Sequence, residues 1–186
     1  MNQLLQCKGS NDFSLKNCTI KNAKHQKSTS FLIKRCENAS LSHVTVTSPS
    51  DVTYGLIIYD SIVNIEDLII NNHPEDLIGC ENNSFVVIKN SKISLSTYVI
   101  SIYDQSSIEI LNCTFSYISK LSISALNSRC SVKNNTFQQV KIGLSLDNIE
   151  DFSIENYHFT NVQTTGIFIH NNSNGIINDN TFVYLE

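Results

Sequence analysis

The chain has 186 residues, of which 41% are hydrophobic and only 16% charged, so one domain with a sizeable core is expected. Its net charge is −4, and Lys34-Arg35 is the longest basic run, which excludes the basic footprint of a nucleic-acid-binding surface. No apolar stretch approaches the ~20 residues of a membrane-spanning helix, and abundant Ser, Asn and Ile disfavour helix in general.

From the N-terminus, Met1 to Cys7 is too short and too polar for a signal peptide. The chain is therefore read as intracellular, as one whose signal has been removed, or as a piece of a longer protein, with a leaning toward an extracellular or cell-surface setting in the last case. A short pattern then begins, aliphatic-x-Asn-x-x-(Ile/Phe). It occupies positions 15–20, 41–46, 65–70, 88–93, 110–115, 132–137, 154–159 and 177–182. Its third position is Asn17, His43, Asp67, Asn90, Asn112, Asn134, Asn156 and Asp179, a nearly even spacing along the whole chain. Between these segments lie short alternating runs at 55–60, 98–104, 120–125, 142–147 and 166–170, ending in polar turn residues.

A period of about 23 residues marks a solenoid. Each repeat holds three short strands separated by turns and has no room for a helix. Stacked coil on coil, the aliphatic and Ile/Phe positions fill the interior. The third-position Asn is expected to point inward, with Asn112 and Asn134 buried and bonded to their coil neighbours in an asparagine ladder. The leucine-rich repeat is excluded because its Leu-x-x-Leu-x-Leu run is missing, and a left-handed hexapeptide helix because no hexapeptide period exists.

The repeats from about residue 13 onward resemble the right-handed parallel β-helix repeats of the pectin-lyase-like superfamily. The resemblance implies an all-β fold, a right-handed parallel β-helix (solenoid) of about eight coils, each of roughly 22–26 residues, with an asparagine ladder. It is read as a single domain over 1–186 or as a fragment of a longer solenoid. The superfamily includes polysaccharide-cleaving enzymes, tailspikes and adhesins, and fold alone selects none of them. The resemblance also implies that an enzyme would act in a groove along the first strand sheet. The Asn-Thr-Asp, Asp-Asp, Gly-His-Gly and Arg-x-Lys motifs of polygalacturonase-like enzymes are missing, and neither Arg35 nor Arg129 stands beside an obvious acidic cluster. The reading leans against an enzyme and expects no cofactor.

Alternation places Tyr59, Ser101, Tyr103, Ser124, Ser145, Asp147, Phe168 and His170 on the outside of the first sheet. Tyr59, Tyr103 and Phe168 are candidates for an aromatic sugar-binding surface. Asp147 and His170, expected on neighbouring coils about 4.8 Å apart, are the catalytic candidates, a carboxylate and an imidazole able to act as acid and base. Asp60, Asp104 and Asp147 are read as recurring at one turn, where Asp is an ordinary turn residue; calcium along this row is an alternative that would need several oxygens per ion. His25, His43, His73 and His158 show no paired metal-ligand spacing, so no metal is expected, and His43 is read as a core hydrogen-bonding residue at the ladder position. The six cysteines lack any Cys-x-x-Cys pair; their even number would suit disulfides, but they are read as small buried or half-buried thiols in a solenoid that needs no staples. Of six Asn-x-Ser/Thr sequons, those at Asn17, Asn112 and Asn134 fall on the ladder, where burial would bar a glycan.

The function expected from the sequence is a scaffold binding polysaccharide or glycoconjugate along one sheet face. The alternatives are a structural or assembly module, such as part of a tailspike or adhesin, and a divergent polysaccharide lyase, hydrolase or epimerase. The segment 181–186, apolar up to its penultimate residue, carries the further expectation that at least one end is covered, by another copy in end-to-end self-association or by additional sequence.

Overall fold

The computed structural model describes residues 3–21, 29–47, 54–149, 151–171 and 174–183. His25 and residues 184–186 therefore lie outside the described residues. All described strand pairs are parallel, and each strand bonds to the strand one repeat later. The chain winds as a solenoid with three faces.

The second face is the most regular. Among the described residues it holds eight strands of equal length, from Asp12–Lys16 to Asn174–Asn178, and these define eight passes separated by seven turns. The first face is formed by Gln3–Lys8, Thr29–Lys34 and Tyr54–Tyr59, then by the later halves of Ile69–Glu81, Lys92–Ile102, Thr114–Leu126 and Thr136–Asp147, and finally by Thr165–His170. The earlier halves of those four long strands belong to the third face. The sequence suggests a gap at this corner, but here a single left-handed residue bends a continuous strand. Asn72, Leu95, Tyr117 and Gln139 occupy that position, with φ between 53° and 60°. The register shifts beside it, as at a β-bulge.

The repeated Asn has a different task from the one expected. Asn17, His43, Asp67, Asn90, Asn112, Asn134, Asn156 and Asp179 all have φ between 52° and 56°. They turn the corner from the second face to the third. Asn and Asp adopt this conformation more readily than most side chains. The turn sends the side chain outward, so Asn112 and Asn134 are exposed, not buried. Their amides still meet along the axis in part, since Asn112 Nδ2 donates to Asn90 Oδ1 at 3.4 Å on the surface. His43 is likewise a surface residue, within 2.8 Å of Ser42 Oγ and 3.3 Å of Asp67 Oδ2. With Asn17, Asn112 and Asn134 all exposed, burial gives no reason to exclude a glycan at those sequons.

The interior polar position is one residue later. Asn135 is 1% exposed; its Oδ1 accepts the Cys113 N–H at 2.7 Å, and its Nδ2 donates to the Ile110 and Lys133 carbonyls, each at 2.9 Å. Asn180 repeats the arrangement toward Tyr157 N–H and Ile154 O, at 2.9 and 3.1 Å, and Ser91 accepts the Leu68 N–H at 3.1 Å. The first-to-second corner carries a serine series in the same role. Ser61, Ser84 and Ser106 accept the backbone N–H of Cys36, Ser61 and Ser84 at 3.0, 3.3 and 3.2 Å. Both series satisfy N–H groups that the turns remove from the strand ladders.

Most of the remaining interior is apolar, although Ser122 is fully buried with its hydroxyl unpartnered. Phe115, Phe137, Phe159 and Phe182 stack along the axis with centroids 4.8, 5.0 and 4.7 Å apart, and Tyr157 lies 5.4 Å from both Phe137 and Phe159. Gly143 is required by close approach, because a Cβ there would lie 2.4 Å from Gly166 O and 2.6 Å from Phe159 Cε1. On the last described coil Ile177 and Phe182 are half exposed.

Candidate functional site

The outward residues near the end of each first-face strand form one row along the solenoid. Strand register joins Lys8, Lys34, Tyr59 and Glu81. Tyr103 follows, its N–H donating to Cys80 O at 2.9 Å, and Leu126, Asp147 and His170 complete the row. Tyr59 and Tyr103 thus stand two coils apart, about 9.6 Å at the usual strand spacing, with Glu81 between them. Both tyrosines and Glu81 are half-buried. The Lys34 ammonium lies 4.2 Å from the Tyr59 ring centroid and covers one of its faces.

Glu81 has no signal in the sequence, because it sits in an irregular repeat where the alternation around 72–81 is broken by His73 and Pro74. Burial, and then the charge of Asp104, hold its carboxyl above the ordinary range. The folded state therefore keeps the proton over a window that begins near the unfolded glutamate value, about 4.3. Stability from this group is fully present below that pH and falls as pH rises through the folded value. Urea midpoints measured across pH for the wild type and Glu81→Gln test this sign. The wild type should lose stability relative to the variant as pH rises from about 4, and a difference that stays constant or grows with pH would contradict it.

Asp147 and His170 are brought together as the alternation predicts, with Asp147 Oδ1 3.2 Å from His170 Nδ1. Asn171 Nδ2 lies 2.9 Å from the same ring nitrogen and donates to Asp147 Oδ1 at 3.4 Å. Phe168 is 51% exposed and its ring centroid is 6.3 Å from that of His170. This cluster stands at the far end of the face from Tyr59 and is separate from the tyrosine pair. Asp147 does not share the turn of Asp60 and Asp104. Those two have φ of 49° and 54° at the corner, whereas Asp147 ends its strand and Asn148 takes the corner position. Among the described residues no group of three or more His, Cys, Asp or Glu is arranged to hold a metal ion.

The corner beside the row holds a groove of about 740 Å³, lined by Asn83, Gln105, Asn127 and Asn148 with Asp104 and Arg129. Four carboxamides, a carboxylate and a guanidinium are donors and acceptors suited to a polyhydroxylated ligand. Sequence reasoning reads these residues as turn formers, and all four amide residues do have left-handed backbone. Only the stacking of successive coils shows that the turns also line a groove. Arg129 borders a second groove too, of about 600 Å³ on the second face, together with Phe85, Asp151 and Asn174. Among the described residues Arg129 makes no ion pair, whereas Arg35 Nε lies 3.8 Å from Asp60 Oδ2. Exposed Tyr98 and Tyr117, near the third corner, are further aromatics that the alternation does not single out.

The family model for the right-handed beta helix region matches residues 76–186, more than half of the chain. The chain therefore belongs to the right-handed β-helix family, and the same coil construction continues through the preceding repeats. No curated protein matches the chain.

Proposed function

We propose that this β-helix is a scaffold that binds polysaccharide or glycoconjugate along its first face and the adjoining corner. The observation that carries the reading is the row Tyr59–Glu81–Tyr103 beside a carboxamide-lined groove. Two aromatic rings separated by two coils offer apolar platforms to the faces of pyranose rings in an extended chain. The neighbouring amides and carboxylates can bond the hydroxyls. Phe168, with Asp147 and His170 beside it, provides a second contact area on the same face.

A glycan array followed by calorimetry on the best ligand tests the proposal. Tyr59→Ala and Tyr103→Ala should each weaken binding about tenfold, the equivalent of about 1.4 kcal/mol, with little change in melting temperature because both side chains face outward. Unchanged affinity in both variants would move the site off this row, and no binding across the array would favour a structural or assembly module.

A second reading, a divergent polysaccharide-cleaving enzyme, is favoured by the raised pKa of Glu81 between the two tyrosines, which suits a general acid. Release of reducing or unsaturated sugar that disappears in Glu81→Gln would establish it. Loss in Asp147→Asn or His170→Ala alone would place the chemistry at the other end of the face.

A further inference from the structure

The described cysteines are all free thiols, but two of them are not independent. Cys7 points inward from the first strand of the first face, and Cys36 points inward at the following corner, one coil later. Their sulfurs are 3.1 Å apart, about 1 Å more than a disulfide bond, and both residues are buried. Cys36 also occupies the position that Ser61, Ser84 and Ser106 fill on later coils. A sulfur there is not needed for the corner hydrogen bonds, since a hydroxyl serves in the neighbouring repeats. What the sulfur adds is reach to Cys7.

We propose that Cys7 and Cys36 are an oxidisable pair whose disulfide clamps the first coil to the second. With glutathione disulfide as oxidant, one cysteine thiolate attacks a glutathione sulfur and releases one glutathione thiol. The other cysteine then attacks the mixed disulfide and releases a second. Two protons and two electrons leave the protein pair, and the oxidant becomes two glutathione thiols. Burial and the neighbouring Cys36 push the Cys7 thiol up to about 11. Exchange in the folded state is therefore slow at neutral pH, and the bond forms most readily while the first coil is still open, during folding. The bridge closes a 29-residue separation. A loop of that length removes substantial freedom from the unfolded chain, and the melting temperature should rise by about 5–10 °C.

The test is to refold the full chain in glutathione disulfide and in dithiothreitol, then count thiols under denaturing conditions and digest for mass spectrometry. The expected result is six thiols in the reduced sample and four in the oxidised one, with a Cys7–Cys36 linked peptide two hydrogens lighter than the free pair. The rise in melting temperature should vanish with dithiothreitol and be absent in Cys36→Ser. Serine fits the Cys36 position in later coils, so that variant should fold, and Cys7→Ser provides the second control. Six thiols persisting after refolding in the oxidant, or links among the other cysteines only, would overturn the proposal. A Cys7–Cys36 bond that leaves the melting temperature unchanged would overturn its role as a clamp.

Discussion

Phe137→Ala is expected to lower the free energy of unfolding by about 3–5 kcal/mol, read as a drop in the urea midpoint. Phe137 is fully buried, and its ring stacks with all of Phe115, Tyr157 and Phe159, at 4.8, 5.4 and 5.0 Å. In a solenoid, stability is a sum of repeat and nearest-neighbour terms. Removing this ring weakens the interfaces on both sides of its coil at once, and the space left cannot collapse because strands at fixed register hold the walls apart. Phe137→Leu should recover part of the loss, since it restores volume without the stacked ring. Phe182→Ala, at the half-exposed end of the same stack, should cost much less. Equal losses at Phe137 and Phe182 would show that the stack is not a cooperative core.

Asn135→Leu is expected to cost about 2–4 kcal/mol, although it puts an apolar residue into an apolar interior. The Cys113 N–H loses its side-chain acceptor, and the Ile110 and Lys133 carbonyls lose a donor. Leucine offers none of them a replacement. Native-state hydrogen exchange should locate the defect, with the Cys113 amide losing protection first. The adjacent Asn134 provides the comparison. Asn134→Gly should be close to neutral, because φ of 55° suits glycine, while Asn134→Ala should cost about 1 kcal/mol in backbone strain. If Asn134→Leu were the more damaging of the two leucine substitutions, the assignment of the inward amide to Asn135 would be wrong.

The contrast between these neighbours shows how far the repeat can be read directly. The recurrence of Asn at a nearly even spacing identifies a polar corner in the coils, and both the period and the corner are present in the structure. Periodicity does not state which way a corner residue faces. In a strand, alternation assigns inside and outside from sequence alone, which is why Tyr59, Tyr103, Asp147, Phe168 and His170 are placed outward and the Asp147–His170 pair is expected. At a left-handed residue the alternation is interrupted. The side chain expected to point in points out, and its successor takes the interior. Asn is common at such turns for its backbone tolerance, so its polarity suggests a hydrogen-bonding role that the next residue performs.

The sequence by itself determined the class of fold, the parallel stacking, the number of passes and most of the outward positions of the first face, although Ser101, expected outside, is buried. All of these follow from a steady repeat length and a two-residue alternation, which are local properties. The tertiary structure decided what depends on neighbours one repeat away. It set the register that inserts Glu81 between Tyr59 and Tyr103, the assembly of turn amides from four coils into a groove, and the approach of Cys7 to Cys36. Each arises because stacking places residues of successive repeats about one strand spacing apart, and small differences in repeat length choose which residues meet.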